Sequence, residues 1–225
     1  VLDITITATV RPDLFHQTLK SFTDKLFINR KEYRIVVNID PIGEDVDPMR
    51  MVEVARQFFD NVLFNIPDEP NFAKAVKWCW ENIESKFVFH LEDDWVICKK
   101  VNINSMIELL NENQTLSSLR LSRKRLTPEC NFYGFRIRKK VGLNPTLWRS
   151  EILRDISQGM NDRDNPEKQL KTLYRKRKED GFMSGVYFEK DIVGKYVKDI
   201  GGRSWMENSN LHKRKGSNFV TWGRL

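Results

Sequence analysis

Apolar and polar residues alternate along Leu2–Val10 (LDITITATV), and a period of two predicts a β-strand. Arg11–Pro12 ends it, and Leu14, Leu19 and Phe22 mark the apolar positions of a following helix. Tyr33–Asp40 (YRIVVNID) predicts a second strand, stopped by Pro41 and Gly43, and Pro48–Phe59 reads as helix. Asn61–Pro67 predicts a short third strand. Asn71–Ile83 places apolar residues at 72, 75, 76, 79, 80 and 83, which is helical spacing. Phe87, Val88, Phe89 and Leu91 then build a fourth strand. Strands alternating with helices in this way predict βαβ units, and so an α/β fold with a mostly parallel central sheet flanked by helices.

The pattern loosens after Lys100. Asn104–Asn113 reads as helix, Leu116–Arg125 contains a strand, and Phe132–Gly142 alternates like a hairpin arm. Ser150 is placed to N-cap a helix beginning at Ser150–Ile156. Asp164–Gly181 is a punctuated helix: Pro166 and Glu167 lie in its first turn, basic residues in its later turns and Gly181 at its end. The tail, His212–Leu225, is basic and reads as irregular. No Pro/Gly/Ser-rich linker divides the 225 residues, which suit one domain with two halves, 1–100 and 101–225.

The fourth strand raises the central question, because it runs into Glu92, Asp93 and Asp94 before apolar residues resume at Trp95–Ile97. Ionised carboxylates are costly to bury without a partner. Either the turn is exposed or a cation sits there. Mg²⁺ and Mn²⁺ often take only one or two carboxylates, with substrate phosphate and water completing the shell. Asp94 is the first candidate for direct ligation, with Glu92 or Asp93 on the ribose or a bound water. Arg11, Asp40 and the acidic turn all fall at predicted strand ends, where ligands bind in sheets of this kind. For Asp40 a capping role is the plainer alternative to a base or ribose contact.

These residues together resemble the glycosyltransferase A fold, in particular the family-2-like enzymes and their small phage and bacterial relatives. The matching features cover about residues 3–98: the Thr-rich turn TATVRP holding Thr9 and Arg11, the strand-end Asp40, Asn71 with Lys74 one turn on, and EDD (Glu92–Asp94) in the place of an Asp-x-Asp motif. The EDD form is similar to that of some N-acetylglucosaminyltransferases. The resemblance implies a nucleotide-diphosphate sugar donor, a Mn²⁺ or Mg²⁺ ion, and donor contacts from Thr9, Arg11, Asp40, Asn71, Lys74 and Asp93. It implies Asp94, Glu92 and His212 as metal ligands. Val141–Arg149 is similar to the family's donor-sugar loop. Glu167, with Asp164 as alternative, matches the acid that serves as base in inverting members. The chain departs from the pattern in having Glu first in the metal motif, Pro-Glu where Glu-Asp is usual at the base, and Phe72 where Gly is common. Glu167 could equally complement the helix dipole, and His212 could be an ordinary surface histidine.

Charge adds an expectation about the acceptor. Residues 1–100 hold 13 Lys/Arg against 17 Asp/Glu, a net −4; residues 101–225 hold 25 against 14, a net +11. The second half therefore expects an anionic partner, and the acceptor is read as a glycan or as a hydroxymethylated base in DNA. Lys213, Arg214 and Lys215 are candidates to neutralise phosphates, Trp205 and Trp222 to stack on a sugar or base, whereas Trp78 and Trp80 read as core. Nucleotidyl transfer is the rival enzyme class, but TATVRPDLF lacks the glycine signature it usually shows. A non-enzymatic nucleic-acid-binding protein is the third reading and leaves the acids unexplained. Three widely spaced cysteines (Cys79, Cys98, Cys130) form neither a disulfide framework nor a zinc site, and no run is long and apolar enough for a membrane span. That cysteine usage makes a reducing cytoplasm the expected location; no signal peptide is evident, although Val1 is not an initiator Met.

Overall fold

The structure is a computed structural model that describes residues 1–124, 134–138, 140–189, 194–201, 211–215 and 220–224, the last two stretches by main chain alone. Its first half runs β1 (Leu2–Val10), α1 (Pro12–Lys25), β2 (Tyr33–Gly43), α2 (Met49–Phe58), β3 (Asn61–Asn65), α3 (Phe72–Glu81), β4 (Phe87–Glu92) and β5 (Trp95–Ile97). The second continues with α4 (Ile103–Glu112), β6 (Leu116–Arg120), β7 (Gly134–Arg138), β8 (Thr146–Arg149), α5 (Ser150–Gln158), α6 (Pro166–Glu179) and β9 (Met183–Phe188). β10 (Val197–Asp199), β11 (Leu211–Lys215) and β12 (Val220–Arg224) follow.

Both halves build one eight-stranded sheet in the order β3-β2-β1-β4-β8-β6-β9-β7. The pairs β3–β2, β2–β1, β1–β4 and β6–β9 are parallel, while β4–β8, β8–β6 and β9–β7 are antiparallel. The expected mostly parallel sheet flanked by helices is therefore present, with its antiparallel pairs confined to the second half.

The alternation in β1 has a physical meaning beyond strand formation. Leu2, Ile4, Ile6, Ala8 and Val10 point into one core with Phe15, Phe22 and Phe89. The opposite face, Asp3, Thr5, Thr7 and Thr9, is buried as well. It lies under α3, where Thr5 Oγ1 bonds His90 Nδ1 at 3.0 Å and the Cys79 thiol donates to the Ile6 carbonyl at 3.3 Å. A second core on that side gathers Val76, Trp80, Val88, Trp148, Leu153, Leu170 and Tyr174. Trp80 is fully buried, in keeping with its reading as core. At the far end of the sheet, buried Asp3 accepts from Arg34 Nε (2.8 Å) and Nη2 (3.0 Å) and from the N–H groups of Glu84 and Ser85, tying β2 to the α3–β4 connection.

Three local expectations are corrected. The alternating segment around β7 makes no hairpin with a sequence neighbour; it pairs antiparallel with β9, from Gly134↔Phe188 to Arg138↔Ser184. Ser150 is the first helical residue of α5 rather than its cap: Arg149 holds the N-cap position, and the Ser150 hydroxyl is buried with no hydrogen-bond partner among the described residues. The basic tail is not irregular, because β11 and β12 pair antiparallel from Leu211↔Arg224 to Lys215↔Val220. Trp205 and Cys130 lie outside the described residues. Among the described residues no helix is long and apolar enough to cross a membrane.

Candidate active site

The parallel strands β1, β2 and β4 end together, and each delivers a polar group at its carboxyl end: Thr9 and Arg11, Asp40, and Glu92–Asp94. Thr9 is in register with Asp40 and Thr7 with Glu92. Past Thr9 the β1–β2 register shifts, and Val10 pairs with Gly43. Gly43 has φ +146°, and a Cβ there would strike the Val10 carbonyl, so the close approach needs glycine.

The acidic turn sends its neighbours in different directions. Asp93 turns inward and is 2% exposed. Arg11, 3% exposed, holds it in two-point fashion, through Nε to Oδ2 at 3.1 Å and through Nη2 to Oδ1. The Thr9 N–H donates to the same Oδ2 at 3.1 Å. From α1, the Thr18 hydroxyl donates to the Asp93 carbonyl at 2.7 Å. Burial alone would lower the Arg11 pKa, but the charges of Asp93 and then Asp94 outweigh it and hold the guanidinium above its ordinary value. The question posed by three consecutive acids thus has one answer inside the protein, since Arg11 is the cation that permits Asp93 to be buried.

Asp94 faces the other way. Its side chain is 23% exposed and lies 3.4 Å from Arg11 Nη2. β10 pairs with β5, and the chain continues so that the Ile200 N–H donates to the Asp94 carbonyl at 2.8 Å. A Cβ on Gly201 would run into the Asp94 carboxylate. Glu92 is half-buried and accepts from the Trp95 indole N–H at 3.3 Å.

Asp40 is buried beside this turn. Burial is the main cause that raises its pKa to about 6; the N–H of Asn71 and the Asn38 amide oppose the rise, and the charge of Asp93 adds to it. Asn38 Nδ2 donates to Asp40 Oδ1 at 3.0 Å, and Asn38 Oδ1 accepts from Asn65 Nδ2 at 2.7 Å. Asn71 caps α3 by accepting from the Lys74 N–H at 3.0 Å, and its Nδ2 donates to the Asp162 carbonyl at 3.0 Å. Lys74 Nζ lies 3.8 Å from Asp162, so the start of α3 bridges to the turn before α6.

That turn carries the two candidate bases. Asn165 caps α6 through the N–H groups of Glu167 and Lys168. Asp164 accepts from Asn161 Nδ2 at 2.9 Å and is half-buried, held in the turn's own network. Glu167 is half-exposed, pairs with Lys171 at 3.1 Å, and sits so that a Cβ on Gly142 would lie 3.0 Å from its Oε1. The loop Val141–Arg149 and Glu167 are therefore adjacent, as their roles in the resemblance require. His212 lies on β11, whose main chain alone is described.

Sequence reasoning passed over Asn38 and Gly201. A buried amide inside the apolar run YRIVVNID was a signal for Asn38; for Gly201 only the Gly-Gly pair was visible, with nothing to link it to Asp94. Among the described residues no group of three His, Cys, Asp or Glu side chains could hold a metal by itself. The donor set fits a cation held by one or two carboxylates and substrate oxygens, with partly exposed Asp94 confined against Gly201, and does not fit a closed protein cage. A groove also opens between Leu26, Tyr33 and Val101–Asn104. It lies by the amino end of β2, and its acids are already bonded, Glu32 to Asn29 and Glu189 to Asn102 N–H and Tyr187.

No family model and no curated protein matches the chain. Solved structures do. A mannosyltransferase from Pyrobaculum calidifontis, in complex with GDP-Man and Mn²⁺, superposes with a TM-score of 0.61 at 12% identity over 90% of this chain and 59% of that one. TarS 1–349 of S. aureus gives 0.59 at 16% identity over 86% and 59%, and its complex with UDP-GlcNAc gives 0.58 at 16% over 86% and 57%. The chain thus spans less than two thirds of the structures it matches. The strand order, the strand-end acids and these likenesses agree: the chain has the glycosyltransferase A-type fold.

Proposed function

We propose that this chain is a metal-dependent glycosyltransferase that moves a sugar from a nucleotide-diphosphate sugar to an acceptor hydroxyl. The observation that carries the reading is the convergence of Arg11, Asp40, Asp93 and Asp94 at the carboxyl ends of three parallel strands. Two structures of the same fold support it, one holding UDP-GlcNAc and one GDP-Man with Mn²⁺.

Asp94 would hold Mn²⁺ or Mg²⁺, with Glu92 and His212 as further ligands. A bound cation supplies positive charge to the diphosphate leaving group. Asp93 is spent on Arg11, and together they set the turn that aims Asp94 outward. Thr9, Asp40, Asn71 and Lys74 line the nucleoside side. Arg11 acts as a positioning residue rather than as a free phosphate ligand. Glu167 would take the proton of the acceptor hydroxyl as its oxygen bonds the anomeric carbon and the bond from that carbon to the diphosphate oxygen breaks. Attack from the face opposite the leaving group inverts the configuration.

The test is release of nucleoside diphosphate from UDP- and GDP-sugars, by transfer or by slow hydrolysis, with Mn²⁺ present. Wild type should turn over at least one donor and Asp94→Ala should lose the activity; an Asp94→Ala variant as active as wild type sinks the mechanism. A DNA acceptor would make binding fall steeply with salt, whereas a neutral glycan would not.

A further inference from the structure

β6, β9 and β7 stand side by side, so residues in register share one face. Arg120 pairs with Val186, which pairs with Arg136; Ser118 pairs with Ser184, which pairs with Arg138. On the other side of β6, Thr146 and Trp148 of β8 pair with Arg120 and Ser118. A small cleft on this face is lined by Arg120, Arg138, Lys140, Gly142, Thr146 and Ser184, among others. Arg138 and Lys140 are exposed, while Arg120 is half-buried at the end of its strand. Among the described residues, none of these three cations has a hydrogen-bond or ion-pair partner for its side chain.

A half-buried guanidinium among like charges is an unfavourable arrangement by itself. Burial, then the charges of Arg138 and Arg123, push the Arg120 pKa down, and only Glu167 opposes them. The Glu167 carboxylate is itself paired with Lys171. Two arginine forks and one lysine around a small surface cleft suit a tetrahedral oxyanion, which accepts several charge-assisted hydrogen bonds at once. Gly142 places the cleft beside Glu167, since a Cβ there would lie 3.0 Å from Oε1.

We propose that Arg120, Arg138 and Lys140 form an oxyanion subsite that receives a phosphate group of the acceptor next to Glu167. The assignment of the cleft to the acceptor rests on the reading of Glu167 as the base; the oxyanion site itself does not. The alternative source of the same chemistry is the donor's diphosphate.

The experiment measures melting temperature against inorganic phosphate without added metal, at ionic strength held constant with chloride, and separately against UDP and GDP with Mn²⁺. Wild type, Arg120→Gln/Arg138→Gln and the control Lys31→Gln, which removes an exposed cation elsewhere, are compared. Arg138→Gln/Lys140→Gln, which leaves half-buried Arg120 in place, serves if the first double variant does not fold. Phosphate should stabilise wild type and the control, and apparent affinity should fall about tenfold or more in either double variant. The nucleotide shift should be unchanged. An equal phosphate shift in the variants, or none in wild type, overturns the subsite. Loss of the nucleotide shift together with the phosphate shift overturns the acceptor assignment and gives the cleft to the donor. A phosphate shift lost in the variants, with no nucleotide shift in wild type, upholds the subsite and rejects the proposed donor instead.

Discussion

Arg11→Leu should be among the most damaging single changes in the molecule. Arg11 and Asp93 are both almost fully buried, and they meet through two hydrogen bonds. Removing the guanidinium leaves the Asp93 carboxylate buried with the Thr9 N–H as its remaining side-chain donor among the described residues. Breaking a buried pair from one side typically costs about 3–5 kcal/mol, because a buried charge is left uncompensated. For a chain of this size each kcal/mol lowers the melting temperature by roughly 2–4 °C, so a fall of about 6–20 °C is expected. Denaturation followed by tryptophan fluorescence would measure it, in a cycle with Asp93→Asn and the double variant. The double variant should recover part of the loss, giving a coupling of about 2 kcal/mol or more between the two positions. A cost below about 1 kcal/mol for Arg11→Leu, the value of an exposed pair, would refute the view that this contact organises the turn.

Asp40 gives a pH prediction. Its folded pKa of about 6 lies above the ordinary 3.8, so the folded state holds the proton longer than the unfolded chain. Stability should therefore fall as pH rises from about 4 to about 6, by up to about 3 kcal/mol, and Asp40→Asn should flatten that slope in pH-dependent denaturation. Gly201→Ala should lower the melting temperature, by about 1–3 kcal/mol of stability, and weaken Mn²⁺-dependent nucleotide binding, because the new Cβ meets the Asp94 carboxylate. Glu167→Gln should cut kcat by about a hundredfold or more while nucleotide affinity, read by calorimetry, stays within about twofold of wild type; an unchanged kcat would move the base elsewhere.

The first half of the fold was legible because each signal was local. Period-two runs, helical spacing over Asn71–Ile83 and Pro/Gly signals locate β1 to α3, although β2 runs on through Pro41 to Gly43, past the stop those residues predict. The second half depends on pairing between distant segments. β7 finds β9, and β10 finds β5, through contacts that no short window contains. In the tail, Gly216-Ser217-Asn218 between Leu211–Lys215 and Val220–Arg224 is a local turn signal.

The candidate site divides along the same line. Strand-end positions identified Arg11, Asp40 and the acidic turn. Which acid of the turn faces inward depends on the local backbone and on Arg11, so adjacency in sequence could not distinguish the buried Asp93 from the partly exposed Asp94. The placement of Gly201 against Asp94 comes from β10, far along the chain. The excess charge of residues 101–225 was visible as a number, but its concentration around Arg120, Arg138 and Lys140 needed the register of β6, β9 and β7.

A metal-assisted nucleotide site on Asp94 is decided by calorimetric titration of UDP and GDP into wild type and Asp94→Ala, each with and without Mn²⁺. One nucleotide should bind wild type only when Mn²⁺ is present, and Asp94→Ala should abolish this binding. Binding of neither nucleotide, or binding indifferent to both Mn²⁺ and Asp94, would contradict it.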